Sequence, residues 1–195
     1  MKELPPWLVS TLASDATEGR GVLPNSIASL RPGSLVVGPA SVVLMSRDDN
    51  LSVRKALETS PAPGSVLVAA GGSTSRTATI GGLMALEMQQ MGFLGLVTDG
   101  LVRDVAELRQ LERFSVWCRG VTPIASHKRG PAIVGGSVSL GGTVIRDGDL
   151  VIADDDGVVI WPQAEVEHLL ARAESKLQQD NARLASLLGK SEGQP

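Results

Sequence analysis

Apolar positions change their period several times along the chain, and each change predicts an element. In residues 1–18, Leu8, Val9, Leu12 and Ala13 fall at helical spacing, so a short amphipathic helix is expected, stopped by Gly19-Arg20-Gly21. Residues 34–44 are largely apolar with Gly38-Pro39 in the middle, which reads as a strand pair or one bent strand. Asp48-Asp49-Asn50 offers an Asx N-cap to a helix running to Leu57. Pro61-Ala62-Pro63-Gly64 is a turn. Val66–Ala70 is a continuous apolar run, as in a strand covered on both faces, and Gly71-Gly72 ends it. A helix follows over 78–91, with Leu83, Leu86 and Met91 on its sticky face and Gly92 as the C′ residue. Residues 94–97 are a strand, 104–111 a short helix and 114–118 another strand. This alternation predicts parallel β-α-β units.

The period changes at Gly130. Five short β runs follow, around Ile133, Val138, Thr143, Leu150 and Val158, separated by Gly-Gly, Asp-Gly and Asp-Asp-Asp-Gly turns. They predict a β-rich layer on the same domain. Pro162 closes it. Residues 164–188 form a charged amphipathic helix whose leucines are too many for the exposed face of a monomer, so it predicts assembly. Residues 190–195 are expected to be a disordered polar tail. The fold class is therefore α/β: one domain over 1–189 with parallel β-α-β units, a β-rich layer and a long C-terminal helix.

Composition narrows the function. A chain of 195 residues with 43% apolar and 20% charged residues has enough material for one real core. Three Trp, two Phe and no Tyr mean that the core is aliphatic. A net charge of −3 without a basic block gives no electrostatic footprint for nucleic acid. One cysteine, Cys118, excludes an intramolecular disulfide framework and a Cys-rich zinc site, and reads as a small buried hydrophobe. No apolar run approaches a membrane span and no signal-peptide core is visible, so a cytoplasmic location is expected.

The densest chemistry lies in Gly95-Leu96-Val97-Thr98-Asp99-Gly100-Leu101-Val102-Arg103-Asp104. A buried strand ends in a tight turn, and an Arg-Asp pair follows. An Arg grips a carboxylate through two parallel hydrogen bonds, and an Asp holds a hard divalent cation. The alternative is an exposed ion pair with Asp104 as a helix N-cap. Gly71-Gly72-Ser73-Thr74-Ser75-Arg76 could contact an anion through backbone N–H groups or be a plain β-α turn. Gly81-Gly82 costs about 1 kcal/mol per glycine inside a helix. Either the helix starts at Gly82 or Leu83 with N–H groups facing a ligand, or it packs closely on the sheet. Asp154-Asp155-Asp156-Gly157 lacks EF-hand spacing and reads as a turn with solvated carboxylates. His127 and His168 read as surface residues. Neither a Walker motif, a GxGxxG fingerprint nor a Ser-His-Asp arrangement is present.

Taken together, several segments resemble the RraA-like family of 4-hydroxy-4-methyl-2-oxoglutarate aldolases, oxaloacetate decarboxylases and regulators of ribonuclease activity A. They are Leu35-Val36-Val37-Gly38-Pro39-Ala40, Asp49-Asn50-Leu51, residues 63–68, residues 95–104, Arg119-Gly120-Val121-Thr122-Pro123 and residues 148–158. The resemblance implies a swivelling β/β/α domain and homotrimers or hexamers with sites between subunits. It implies a divalent ion, Mg²⁺ or Mn²⁺, on Asp104 and a substrate carboxylate on Arg103. The Gly72-Ser73-Thr74 and Gly82-Leu83-Met84 backbone would help to position that anion. It further implies C–C cleavage of a small 2-oxo acid through a metal-stabilised pyruvate enolate.

This chain departs from the family pattern in one respect that bears on chemistry. The aldolases carry an acidic residue 21 positions before the Arg, and here that position is Gly82. Asn50 is kept, but the His often found four residues later is Arg54, an extra cation that would favour a more anionic substrate. Asp180 is the nearest candidate for an acid supplied by a neighbouring subunit. Three functions are consistent with this reading: a metal-dependent lyase, a non-catalytic regulator of a ribonuclease or another protein, and a repurposed enzyme in which Gly82 marks a different reaction.

Overall fold

The structure is a computed structural model that describes residues 4–59 and 62–191, with side chains described as far as residue 188. In chain order it comprises α1 (Ser10–Thr17), β1 (Ala28–Ser29), β2 (Val36–Leu44), α2 (Leu51–Ala56), β3 (Val66–Ala70), α3 (Gly82–Gln90), β4 (Gly95–Thr98), β5 (Leu101–Val102), α4 (Val105–Gln110) and β6 (Ser115–Cys118). There follow β7 (Gly120–Val121), β8 (Ile133–Val134), β9 (Ser137–Leu140), β10 (Thr143–Arg146), β11 (Leu150–Ala153), β12 (Val158–Trp161), a 3-10 turn at Gln163–Glu165 and α5 (Val166–Ser191).

The main sheet runs β1-β6-β4-β3-β2-β11-β12, with β8 against β2. Its centre, β2-β3-β4-β6, is parallel, as the alternating pattern requires. Residues 34–44 give one continuous strand. Its first half pairs antiparallel with β11 and its second half parallel with β3. Proline lacks an N–H, so Pro39 fits where the pairing changes hands. Beyond it, Ala40 N–H donates to Asp149 O at 2.7 Å and Val42 N–H to Asp147 Oδ1 at 2.8 Å, so a turn replaces the ladder. Gly38 is needed for close approach, because a Cβ there would run into Gly64 O.

Three apolar clusters follow from this layering. One face of the sheet packs on the β9-β10 hairpin through Val42, Val68, Trp117, Leu140 and Ile145. The opposite face packs on α2, α3 and α4 through Val53, Leu67, Met88, Phe93 and Leu108. The third cluster joins α1 and the first half of α5 to β11-β12 through Leu12, Trp161, Leu169 and Ala173. Each fully buried aliphatic side chain stabilises by ~1.5–3 kcal/mol. Cys118 is buried, as expected.

Several expected boundaries move. The first helix is only Ser10–Thr17; residues 1–3 lie outside the described set. Ser10 N–H donates to Asp154 Oδ2 at 2.7 Å, and its hydroxyl to Oδ1, so Asp154 is a structural acceptor rather than a solvated turn carboxylate. The 48–57 helix shortens to Leu51–Ala56. Asn50 stands at its N-cap but makes no side-chain cap. Of the turn expected at Pro61, only residues 62–64 are described. The 104–111 helix shortens to Val105–Gln110. The helix expected at 78–91 begins at Gly82, because the backbone of 78–80 is bonded to another segment instead: Thr79 N–H bonds Leu101 O, and Ile80 O accepts from Arg103 N–H. The C-terminal helix runs on through residues 190 and 191, where a frayed tail was expected; 192–195 are outside the described set. No helix among the described residues is long and apolar enough to cross a membrane.

Gly38→Ala is expected to destabilise by about 1–3 kcal/mol, because the obstacle is backbone that cannot give way. Urea unfolding at pH 7 checks this. A midpoint equal to wild type would mean that β2 bends freely at this point.

Candidate active site

The site forms where the parallel strands end and a small second sheet begins. Strand β5 pairs parallel with β7, and Ala78 bridges to Leu101 and Ala125. This carries Arg103-Asp104 to the first turn of α3. Asp104 turns the chain into α4 in the left-handed region, φ 59°, a conformation that Asp tolerates better than most residues. It stands at the α4 N-cap position but does not cap that helix. Its Oδ2 instead accepts the Gly82 N–H at the start of α3, at 3.0 Å, and lies 3.5 Å from Arg103 Nε. The helix does start at Gly82, but the Gly82 N–H meets Asp104, and the close neighbour of the two glycines is another helix rather than the sheet.

That neighbour is α4. A Cβ on Gly81 would collide with Asp104 Oδ2, and a Cβ on Gly82 with Glu107 Oε2. The Glu107 carboxylate thus fills the space where a side chain at position 82 would begin. It makes no hydrogen bond or ion pair among the described residues. Asp104 and Glu107 are three apart, one helical turn, so both carboxylates reach the same end of α3. Two carboxylates suit a hard cation such as Mg²⁺, which binds through one or two of them and keeps several waters. No group of three or more His, Cys, Asp or Glu that could hold a metal occurs among the described residues.

A cavity of about 450 Å³ opens beside these groups, lined by Asn50, Arg54, Ile80, Gly81, Leu83, Met84, Glu87, Arg103, Asp104 and Lys128 among others. The terminal amino groups of Arg103 have no protein partner among the described residues. The N–H groups of Leu83 and Met84, in the first turn of α3, likewise have no intrahelical acceptor, and a helix N-terminus favours an anion. Asn50 is 6% exposed. Its Nδ2 donates to Thr79 O at 2.8 Å, which leaves Oδ1 buried without a partner. A buried unpaired oxygen costs about 1–3 kcal/mol, and this one belongs to a residue that lines the cavity.

The structure thus brings together Arg103, Asp104, Asn50, Arg54, Leu83 and Met84, with Gly82 alongside. It does not bring Gly72, Ser73 and Thr74 to this cavity. The Gly71 and Gly72 N–H groups donate to the Asp99 carboxylate, at 3.3 and 2.7 Å, and hold two loops together. Arg54 is not a spare cation, because its Nη1 donates to Glu87 Oε2 at 2.6 Å. Asp180 accepts from Lys176 Nζ at 2.5 Å and does not line the cavity within this chain. Sequence reasoning passed over Glu107, Glu87 and Lys128. Only Glu107 left a signal, its spacing from Asp104 on an expected helix. Lys128 sits in a loop and has no ion-pair partner among the described residues.

Residues 10–160 match the RraA-like family, described as Aldolase/RraA. This chain belongs to that family. A relative from Halalkalibacterium halodurans is 36% identical over 174 residues, 89% of this chain and 82% of its own length, and bears the name "Putative 4-hydroxy-4-methyl-2-oxoglutarate aldolase". Among solved structures, Streptomyces coelicolor RraAS2 is described as an unusual member of the RNase ES inhibitor RraA protein family. It superposes with a TM-score of 0.79 at 28% identity, covering 93% of each chain. The RNA-processing inhibitor RraA from Thermus thermophilis superposes with a TM-score of 0.72 at 31% identity, covering 80% of this chain and 93% of its own. The RraA-like fold accounts for the parallel core, the β layer and the long C-terminal helix together.

The segment that carries Lys128 is held by Asp49. Burial acts to raise its carboxyl pKa, but the N–H groups of Arg129, Leu51 and Gly130 outweigh it and hold the value below the ordinary 3.8. A lowered value in the folded state contributes stability that is full above 3.8 and is lost as pH falls through the lowered value. Asp49→Asn is therefore expected to cost about 1–3 kcal/mol at pH 7. The difference from wild type should shrink below the ordinary value. Denaturant titrations at neutral and acid pH measure it, and a gap that widens in acid would contradict this account.

Proposed function

We propose that this chain is a divalent-metal-dependent C–C lyase for a small 2-oxo acid, by aldol cleavage of a 4-hydroxy-2-oxo acid or by decarboxylation of oxaloacetate. The observation that carries this reading is the convergence of Asp104 and Glu107 on the glycine-built start of α3, beside an Arg103 whose amino groups are free. The aldolase name of the Halalkalibacterium relative supports the reaction class.

The substrate's 1-carboxylate lies against the Arg103 guanidinium, with the Leu83 and Met84 N–H groups completing its shell. Asp104 and Glu107 would hold Mg²⁺ or Mn²⁺. When bound, the ion supplies a Lewis acid that draws electron density from the 2-keto oxygen. Glu107 takes the place of the acid missing at position 82. In aldol cleavage it accepts the 4-hydroxyl proton as the C3–C4 bond breaks and its electron pair passes to C3, then returns a proton to C3, giving pyruvate and a second carbonyl product. In decarboxylation the same bond releases CO₂, and C3 again takes a proton. Asn50 Oδ1 accepts a hydrogen bond from a ligand hydroxyl or water.

Leu83 is 84% exposed, and Val121 and Ile124 stand more than half exposed nearby. That apolar rim supports a site completed between subunits of a homotrimer or hexamer, where an acid such as Asp180 could come from a neighbour. The names of the two RraA structures favour a second reading, a regulator of RNA processing. A regulator needs no metal carboxylates, so inhibition of a ribonuclease that survived Asp104→Ala would favour it.

The lyase should release pyruvate from oxaloacetate or 4-hydroxy-4-methyl-2-oxoglutarate, lose activity in EDTA and regain it with Mg²⁺ or Mn²⁺. Asp104→Ala should abolish turnover and weaken Mn²⁺ binding in a direct titration. Glu107→Gln should lower kcat by about 10²–10⁴. Gly82→Asp alone should impair the protein by collision with Glu107, whereas Gly82→Asp with Glu107→Ala should be more active than Glu107→Ala alone. Absence of metal-dependent pyruvate release from both acids would sink the reading.

A further inference from the structure

We infer that Glu87 sets how many negative charges the substrate carries, by neutralising Arg54 in the cavity wall; this rests on the lyase reading above. The charged groups lining the cavity are Arg54, Arg103 and Lys128 against Glu87 and Asp104. Glu107 lies next to them at Gly82. Three cations and three carboxylates cancel, so a bound divalent ion leaves two positive charges for the substrate to balance. A 2-oxo dicarboxylate does this: one carboxylate meets Arg103 and the other Lys128, the lining cation without an ion-pair partner among the described residues. A third carboxylate would have to take Arg54, and Glu87 already holds Arg54 at 2.6 Å.

The pair is suited to selection rather than to stability. Both side chains are 41% exposed, and exposed pairs contribute little to folding. Glu87 stands on α3 and Arg54 on α2, so their contact spans two elements that wall the cavity. Glu87 touches no reacting atom in this account. It is a positioning residue that acts through Arg54, and it rejects the more anionic ligand by leaving its third charge unpaired.

The test compares binding of glutarate and propane-1,2,3-tricarboxylate to the Mg²⁺-saturated protein by titration calorimetry. Oxalate, a two-carbon dianion, probes the Arg103 and metal centre with no third carboxylate to offer Arg54. Wild type should prefer the dicarboxylate. Glu87→Gln should move the affinity ratio about five- to tenfold toward the tricarboxylate, the effect of one unpaired charge at short range in a wet site. Glu87→Asp should restore the wild-type ratio, and Arg54→Gln with Glu87→Gln should return it there by removing both charges. With 4-hydroxy-2-oxo di- and tricarboxylates as substrates, the change should appear in KM rather than kcat. A ratio in Glu87→Gln within twofold of wild type, with oxalate still bound, overturns this inference and leaves the lyase reading intact. Failure of wild type to bind oxalate in the presence of metal overturns both.

Discussion

The approach of α4 to the first turn of α3 governs the rest of the site. Two consecutive residues without a Cβ, Gly81 and Gly82, let the Asp104 and Glu107 carboxylates come against the α3 backbone. The Gly82 N–H bond to Asp104 then ties the two helices together. The partial positive charge of a helix N-terminus stabilises both carboxylates there without a bound cation. Arg103 has only its Nε near a carboxylate, and the residue lines the cavity. Geometry, charge and accessibility at the centre thus follow from two missing methyl groups.

This changes the meaning of the glycine at position 82. By sequence alone, a missing carboxylate implies lost or redirected chemistry. In three dimensions the volume is not missing; it is filled from another helix. A longer side chain from α4 reaches a point that a shorter one on α3 would occupy from its own backbone. Relatives carrying aldolase names and relatives described as inhibitors of RNA processing share this fold, so fold alone cannot assign activity. Among the described residues the Glu107 carboxylate has no protein partner, and such a group is harder to reconcile with a purely structural role than Asp104, which accepts the Gly82 N–H.

The parts of the protein legible in sequence were those written in local period. Strands β3, β4 and β6 read correctly because runs such as Val66–Ala70 are buried on both faces. The β9 to β12 series read correctly because Gly-Gly and Asp-Gly turns punctuate it. The start of α3 was misplaced because the apolar spacing was followed past Thr79 and Ile80, which are β-branched and favour helix poorly, whereas long-range pairing with 101–103 and 124–125 holds residues 78–80 outside the helix. Arg103 and Asp104 were visible as an adjacent pair after a strand. The Arg54–Glu87 pair joins residues 33 apart in sequence on different helices, so no local pattern carries it. Asn50 was placed by resemblance, but its buried unpaired oxygen appears only once Thr79 O has claimed the amide nitrogen.

The chain is rich in aspartates, and what distinguishes them is how they are spent. Asp48, Asp49, Asp99, Asp147, Asp149 and Asp154 each accept two or more backbone N–H groups. A carboxylate saturated in that way is a turn clamp. Its charge is already solvated by peptide dipoles, and giving those bonds up to a cation would cost what holds the loop. Asp48 shows this electrically: the Arg76 N–H, with help from Thr77, holds its carboxyl below the ordinary range despite some burial. Asp104 accepts a single backbone N–H and Glu107 accepts none among the described residues. Spare acceptor capacity, rather than proximity of acids, is therefore the property that separates a candidate metal ligand here from the six clamps. In the Asp-rich 154–156 turn the same property marks Asp154 as a clamp, because it fastens the start of α1 to the sheet.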